Sequence, residues 1–236
     1  MPNHNYAASQ ARVNCSTELT AAGSPSIANR CNQAMAYSDF TIPELKKRFH
    51  LIIDEETNLF EDIPAAELPA TLTDILRRYL PLARNLNTEK ARSELIIAPV
   101  LTEFKLLYRD RVSLFSGLEF NVDDATGLRG RCDYILSESP EQLVLTAPVC
   151  VLVEAKNENM IAGIPQCLAE MVAALQFNAA NGLAPAPVYG AVTTGMQWRF
   201  LKLAGAQASV DNMEYTIQSP QKIFGILKYI ALHERT

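Results

Sequence analysis

The spacing of apolar residues changes period twice along the chain. Thr41 is a suitable N-cap for the segment IPELKKRFH (42–50), with Pro43 in its first turn, so a short helix is predicted there. Residues 56–68 are acidic and contain proline, and read as a loop or a single turn. From 71 to 86 (TLTDILRRYLPLARNL) the apolar positions recur at helical spacing, with Pro81 expected to kink the helix or end its first part. A further helix is predicted over 88–109, with Pro99 inside it. The missing N–H of Pro99 leaves the carbonyl of Leu95 without a helical partner, so a bend is expected just after Glu94.

The period then shortens to two. VSLFSGLEFNV (112–122), the turn DDATG and LRGRCDYILS (128–137) read as a hairpin. PVCVLVEAK (148–156) is an almost unbroken apolar run that ends in charge, as in a strand covered on both faces. A helix over 160–178 follows, with Ile161, Ile164, Leu168, Met171, Val172 and Leu175 at a 3.6-residue period. Its other side carries Ala162, Ala169 and Ala173 around Gln166, so it has almost no polar face and should be buried. The small-residue side is expected on the sheet. The large stripe would then meet the last helix or a second subunit, which would make a homodimer. Strands are predicted at 188–195, 196–203 and 209–217, then a helix over 219–234. The order describes a mixed α/β domain. Residues 1–34 are rich in Ala, Ser and Asn, lack a period, and read as a poorly ordered tail. Met35 opens the globular pattern, either as the natural start or after a true tail. The division is therefore tail 1–34, helical segment 35–87 and α/β core 88–236.

Composition narrows the chemistry. Among 236 residues, 21 Lys and Arg stand against 26 Asp and Glu, a net charge of −5. That argues against coating nucleic acid through bulk charge, but not against a local cleft. The five cysteines (15, 31, 132, 150, 167) lack CxxC spacing, which suggests a reduced, cytoplasmic chain without a thiolate zinc site. No leader pattern is evident, and no apolar run reaches the ~20 residues of a membrane span, so no membrane partner is expected. Histidine occurs only at 4, 50 and 233, which weakens any mechanism resting on a histidine base.

Carboxylates and lysine remain. Asp133 lies on one strand, and Glu154 and Lys156 lie near the end of the next. Residues two apart on a strand face the same side, with Val151, Val153 and Ala155 facing the other way. Two carboxylates at the end of an apolar strand need an offsetting cation, either the lysine or a bound metal. Asp133, Glu154 and the Ala155 carbonyl form an oxygen set suited to Mg²⁺ or Mn²⁺, which would acidify a bound water and neutralise charge on a phosphate. Lys156 would hold that water. Glu94, beside its predicted bend, would reach the metal through water, and Gln166 would orient the nucleophile.

In this order and spacing, Glu94 in ARSELI, Asp133 in GRCDYI, Glu154 and Lys156 in VEAK and Gln166 in IPQCLAEM resemble the PD-(D/E)XK nuclease superfamily, of restriction-endonuclease-like fold. Residue 132 is Cys where that pattern often has Pro. The resemblance covers about 88–205. It implies an α/β fold with a mixed central sheet of about four to six strands flanked by helices. It also implies Mg²⁺-dependent phosphodiester hydrolysis, with DNA as the expected nucleic acid. The superfamily also contains silent members that only bind nucleic acid or protein. Simpler readings stand beside this one: a strand-end ion pair for Glu154 and Lys156, a hydrogen-bonding Asp133, a surface pair between Glu94 and Lys90, and an ordinary first-turn Gln166. Glu158 and Glu170 read as solvated or supporting residues, and Trp198 as core. Arg109, Arg111, Arg129 and Arg131 are candidates for touching phosphates.

Overall fold

Thr41 caps the first helix as expected. Its hydroxyl accepts from the Glu44 N–H at 3.4 Å, and the Glu44 carboxylate accepts from the Thr41 N–H at 2.9 Å. The computed structural model describes residues 35–232, so the tail predicted over 1–34 lies outside the described residues. A single 3-10 turn, Tyr37–Asp39, leads into α1 (Ile42–Phe49) and then β1 (Ile52–Asp54). α2 (Ala70–Leu86) continues through Pro81. That proline is on an exposed face, where water can take the carbonyl of Arg77 that it leaves unbonded.

The helix predicted over 88–109 is α3 (Glu89–Arg92), a π-helical turn (Ser93–Ile97) and α4 (Ala98–Leu107). The Ala98 N–H bonds five residues back, to the Ser93 carbonyl. Where a bend was expected just after Glu94, the structure has a π-turn over Ser93–Ile97, and Pro99 is the second residue of α4.

The strands are β2 (Ser113–Glu119), β3 (Arg131–Ser137), β4 (Val149–Ala155), β5 (Val188–Thr193), β6 (Gln197–Ala204), β7 (Gln207–Val210) and β8 (Tyr215–Thr216). α5 (Met160–Ala180) joins β4 to β5, and α6 (Pro220–Leu232) ends the described chain. The sheet is mixed and flanked by helices, as expected. It is larger than four to six strands: eight, in the order β1-β7-β6-β5-β4-β3-β2, with β8 also on β6. β4 with β5 and β1 with β7 are parallel, and the other pairs are antiparallel. Two differences account for the extra strands. Ile52–Asp54 is too short to show a period, yet it extends the sheet beside β7. The strand predicted over 209–217 is broken at Asp211. This buried carboxylate accepts from the Met213 N–H at 3.1 Å and the Tyr215 hydroxyl at 2.9 Å, which turns the chain.

One face of the sheet packs against α2, α4 and α6 through residues such as Leu76, Phe104 and Phe224, with Trp198 buried among them. The other face packs against α5 and α1 through Leu152, Cys167, Leu168 and Leu45. β4 lies between the two layers with all seven residues buried. This arrangement corrects the expected docking of α5. α6 is on the opposite face of the sheet, so the large stripe of α5 does not pack on it. Ile161 and Ala162 are exposed, while Gly163 lies against Val192 of β5 and Cys167 and Met171 lie against Gly190 of β5. By length and composition α5 is apolar enough to cross a membrane. Here it is a core helix, with 56% of its most apolar stretch buried inside the fold.

α5 packs tightly on Gly190 of β5. A β-carbon there would lie 2.6 Å from both Cys167 Sγ and Met171 Sδ. Gly190→Ala is therefore expected to lower stability by about 1–3 kcal/mol, read from the midpoint of urea unfolding. A cost near zero would mean that α5 does not approach β5 this closely.

Candidate functional site

The end of β4 brings four of the predicted residues together. Asp133 on β3 and Glu154 on β4 belong to strands paired with Tyr134 opposite Val153. The residues next to that pair therefore face the side covered by α5. Asp133 Oδ2 accepts from the Ala155 N–H at 2.8 Å, which ties the two strand ends together. Lys156 leaves β4 with its N–H bonded to the Thr193 carbonyl at 2.8 Å, and its side chain turns back. Lys156 Nζ donates to Glu154 Oε1 at 2.6 Å and to Gln166 Oε1 at 3.1 Å. Gln166 lies in the first turns of α5, and its Nε2 donates to Glu170 Oε1 at 3.2 Å. A continuous chain thus runs Glu154–Lys156–Gln166–Glu170. Gly163 makes this possible, since a β-carbon there would lie 3.0 Å from Lys156 Cγ.

Negative charge exceeds positive charge in this cluster. Glu154 is 3% exposed, and Glu170 is fully buried. Burial, then the Asp133 charge, pushes the Glu154 carboxyl up to about 7, although Lys156 acts in the opposite sense. Burial, then the Glu154 charge, holds the Glu170 carboxyl well above the usual carboxylate range. Burial alone would lower Lys156. Its bond to Glu154 and the nearby carboxylates outweigh that, and it stays charged. One further oxygen of each buried acid, Glu154 Oε2 and Glu170 Oε2, has no hydrogen-bond partner.

Glu94 does not join the cluster. It sits on the π-turn, is exposed, and pairs with Lys90 at 2.8 Å, four residues before it. The π-turn itself is tied to the sheet on the opposite face, through Ser93 Oγ and the Tyr134 hydroxyl at 2.6 Å. Glu89, which opens α3, is the acid of that helix whose charge reaches Glu154 and Lys156. The arginines proposed to touch phosphates have local partners: Arg131 with Glu119 at 3.2 Å, Arg109 with Asp110 at 3.9 Å, Arg129 with Asp124 at 3.7 Å, and Arg111 with the Leu232 carbonyl at 3.3 Å.

Among the described residues no cluster of three or more His, Cys, Asp or Glu side chains could hold a metal. The donors that could serve a hard cation are two carboxylates, Asp133 through Oδ1 and Glu154 through Oε2, with the Ala155 carbonyl. Among the described residues Glu154 Oε2 is buried without a hydrogen-bond partner, and Asp133 Oδ2 is the oxygen taken by the Ala155 N–H. Such a set fits Mg²⁺ or Mn²⁺, which bind through one or two carboxylates and keep several waters. It does not suit Zn²⁺, which prefers nitrogen and sulfur ligands.

Two buried residues, one in the cluster and one beside it, were not singled out for a role. Glu170 read as solvated or supporting, and it is fully buried. Its i, i+4 spacing from Gln166 is the signal that pairs them. Arg92 carried no motif, yet it is buried and bonded to Asn157, the residue after Lys156. Comparison of the chain with protein-family models, curated proteins and solved structures gives no match.

The raised Glu154 carboxyl has a consequence for stability. Between the ordinary carboxylate value of 4.5 and about 7, the folded chain binds more protons at this residue than the unfolded chain. Its contribution is therefore complete below 4.5 and is lost as pH rises through about 7. In metal-free protein, Glu154→Gln should gain on the wild type between about pH 5 and about pH 8, by on the order of 1–3 kcal/mol. Urea unfolding of both proteins at the two pH values reads this. A difference independent of pH would show that Glu154 titrates normally.

Proposed function

We propose that this chain is a Mg²⁺- or Mn²⁺-dependent nuclease of the PD-(D/E)XK type, hydrolysing phosphodiester bonds in DNA. The observation that carries the reading is the convergence of Asp133, Glu154, Lys156 and Gln166 at the end of β4, with Glu154 Oε2 buried and unpartnered. A plain strand-end ion pair would explain Glu154 and Lys156. It leaves unexplained the further carboxylates gathered around one lysine.

A bound Mg²⁺ would acidify a water and stabilise charge on the phosphate. Asp133 and Glu154 would hold it. Lys156 has three ammonium donors, and two are taken by Glu154 and Gln166. The third remains for the attacking water or a phosphate oxygen. Gln166 fixes the direction of the ammonium, and Glu170 braces Gln166. The attacking water would give up a proton to solvent as it adds to phosphorus, the bond to the leaving oxygen would break, and that oxygen would take a proton from solvent.

A silent relative that binds nucleic acid or protein is the second reading. It is favoured by the position of Glu94, which leaves the site with two available carboxylates. Cleavage of plasmid DNA separates the two. Mg²⁺ or Mn²⁺ should support nicking or cutting, and Glu154→Ala and Lys156→Ala should each abolish it. Neither variant should unfold. Without Lys156, Glu154 takes up a proton rather than remaining as an unpaired buried charge. If calorimetry detects no divalent ion binding at millimolar concentration, the nuclease reading fails. If the ion binds but no DNA is cut, the silent reading stands.

A further inference from the structure

Arg92 is 7% exposed, and among the described residues it has no acidic partner. Its guanidinium donates to Asn87 Oδ1 at 2.7 Å and to the backbone and side-chain oxygens of Asn157. These acceptors are neutral, so they orient the group without meeting its charge. Among the described residues its Nε–H has no acceptor. A buried cation without a counter-ion is costly, and Arg is the side chain best matched to phosphate.

Arg92 lines an open cleft of about 410 Å³ that begins one residue beyond Lys156. Asn157, Asn159 and Gln197 also line it, as do Met160 and Ile161, the first two residues of α5. The Asn159 side chain accepts from the Ala162 N–H and so caps one of the first-turn donors of this 21-residue helix, whose other first-turn N–H groups, those of Met160 and Ile161 among them, have no carbonyl one turn back within the helix. Two acids, Glu158 and Glu214, line the cleft as well. Both are exposed, so solvent and salt screen them, whereas Arg92 is shielded.

We infer that this cleft seats a phosphate group of the nucleic-acid backbone, held by Arg92 and the N-terminus of α5, next to the phosphate that reaches Lys156. The inference rests on the proposed nuclease reading for the source of the phosphate, while the seat itself rests on Arg92. It gives an acidic chain a local anion site beside the acid cluster. It also places the strand along the line from β4 to the start of α5.

Binding of a short labelled DNA duplex, measured in EDTA so that nothing is cut, tests it. Arg92→Gln should weaken binding about tenfold and reduce the slope of log K against log salt by about 0.9. Gln197→Glu adds a negative charge at an exposed position on the rim, so it keeps the fold and should weaken binding several-fold. It decides the matter if Arg92→Gln does not fold. Wild-type affinity in Gln197→Glu together with an unchanged salt slope in a folded Arg92→Gln overturns the inference. A parallel titration with inorganic phosphate separates the sources. If Arg92→Gln loses inorganic phosphate but binds the duplex normally, the nucleic-acid source is overturned. If duplex binding depends on Arg92 but Mg²⁺ supports no cleavage, the seat stands and the nuclease reading falls.

Discussion

Glu154 ends a strand that is buried on both faces, and the charge of its carboxylate has to be met where water cannot reach. The neighbouring structure answers that requirement. Lys156, two residues on, bends back to bond it. Asp133 on the adjacent strand is held in place by the Ala155 N–H. The response is incomplete, since one lysine faces several acids and Glu154 is left with a raised carboxyl and an unbonded oxygen. A proton or a hard cation can complete it, and that choice links stability to the proposed chemistry.

α5 is the element that makes the cluster compact. Its glycine at 163 lets Lys156 lie against the helix, and Gly190 lets Cys167 and Met171 approach β5. Farther along, Asn178 bonds both the N–H and the carbonyl of Val149 at 2.8 Å, which fixes the other end of the helix to β4. The helix is thus anchored to one strand at both ends. Gln166 and Glu170 are carried to the lysine by that anchoring. A rotation of α5 by one residue would move both away.

The two proposals share one electrostatic logic. The acid cluster has surplus negative charge and suits a cation. Arg92, a short way along the chain from Lys156 through Asn157, has surplus positive charge and suits an anion. A metal and a phosphate are the pair of ligands that would satisfy both. Net charge of the whole chain, −5, is uninformative about such a local arrangement.

Local periodicity was enough to show the helices at 42–50, 71–86 and 160–178, the doubly covered strand β4 and the shared face of Glu154 and Lys156. Those features depend on residues near one another in the chain, and the apolar run of 148–156 has few other uses. Gln166, expected beside the carboxylates, bonds Lys156 and Glu170. The alanine face was expected on the sheet, whereas Gly163, Cys167 and Met171 make the contact. Of the two readings open for Glu94, a water-bridged metal ligand and a surface pair with Lys90, the structure shows the pair with Lys90. β1 has three residues and no period to read, and only its pairing with β7 makes it a strand. The burial of Glu170 and Arg92 was likewise decided by tertiary structure. Whether a polar residue faces water or the core depends on what packs over it, and for both residues that covering comes from segments distant in the chain.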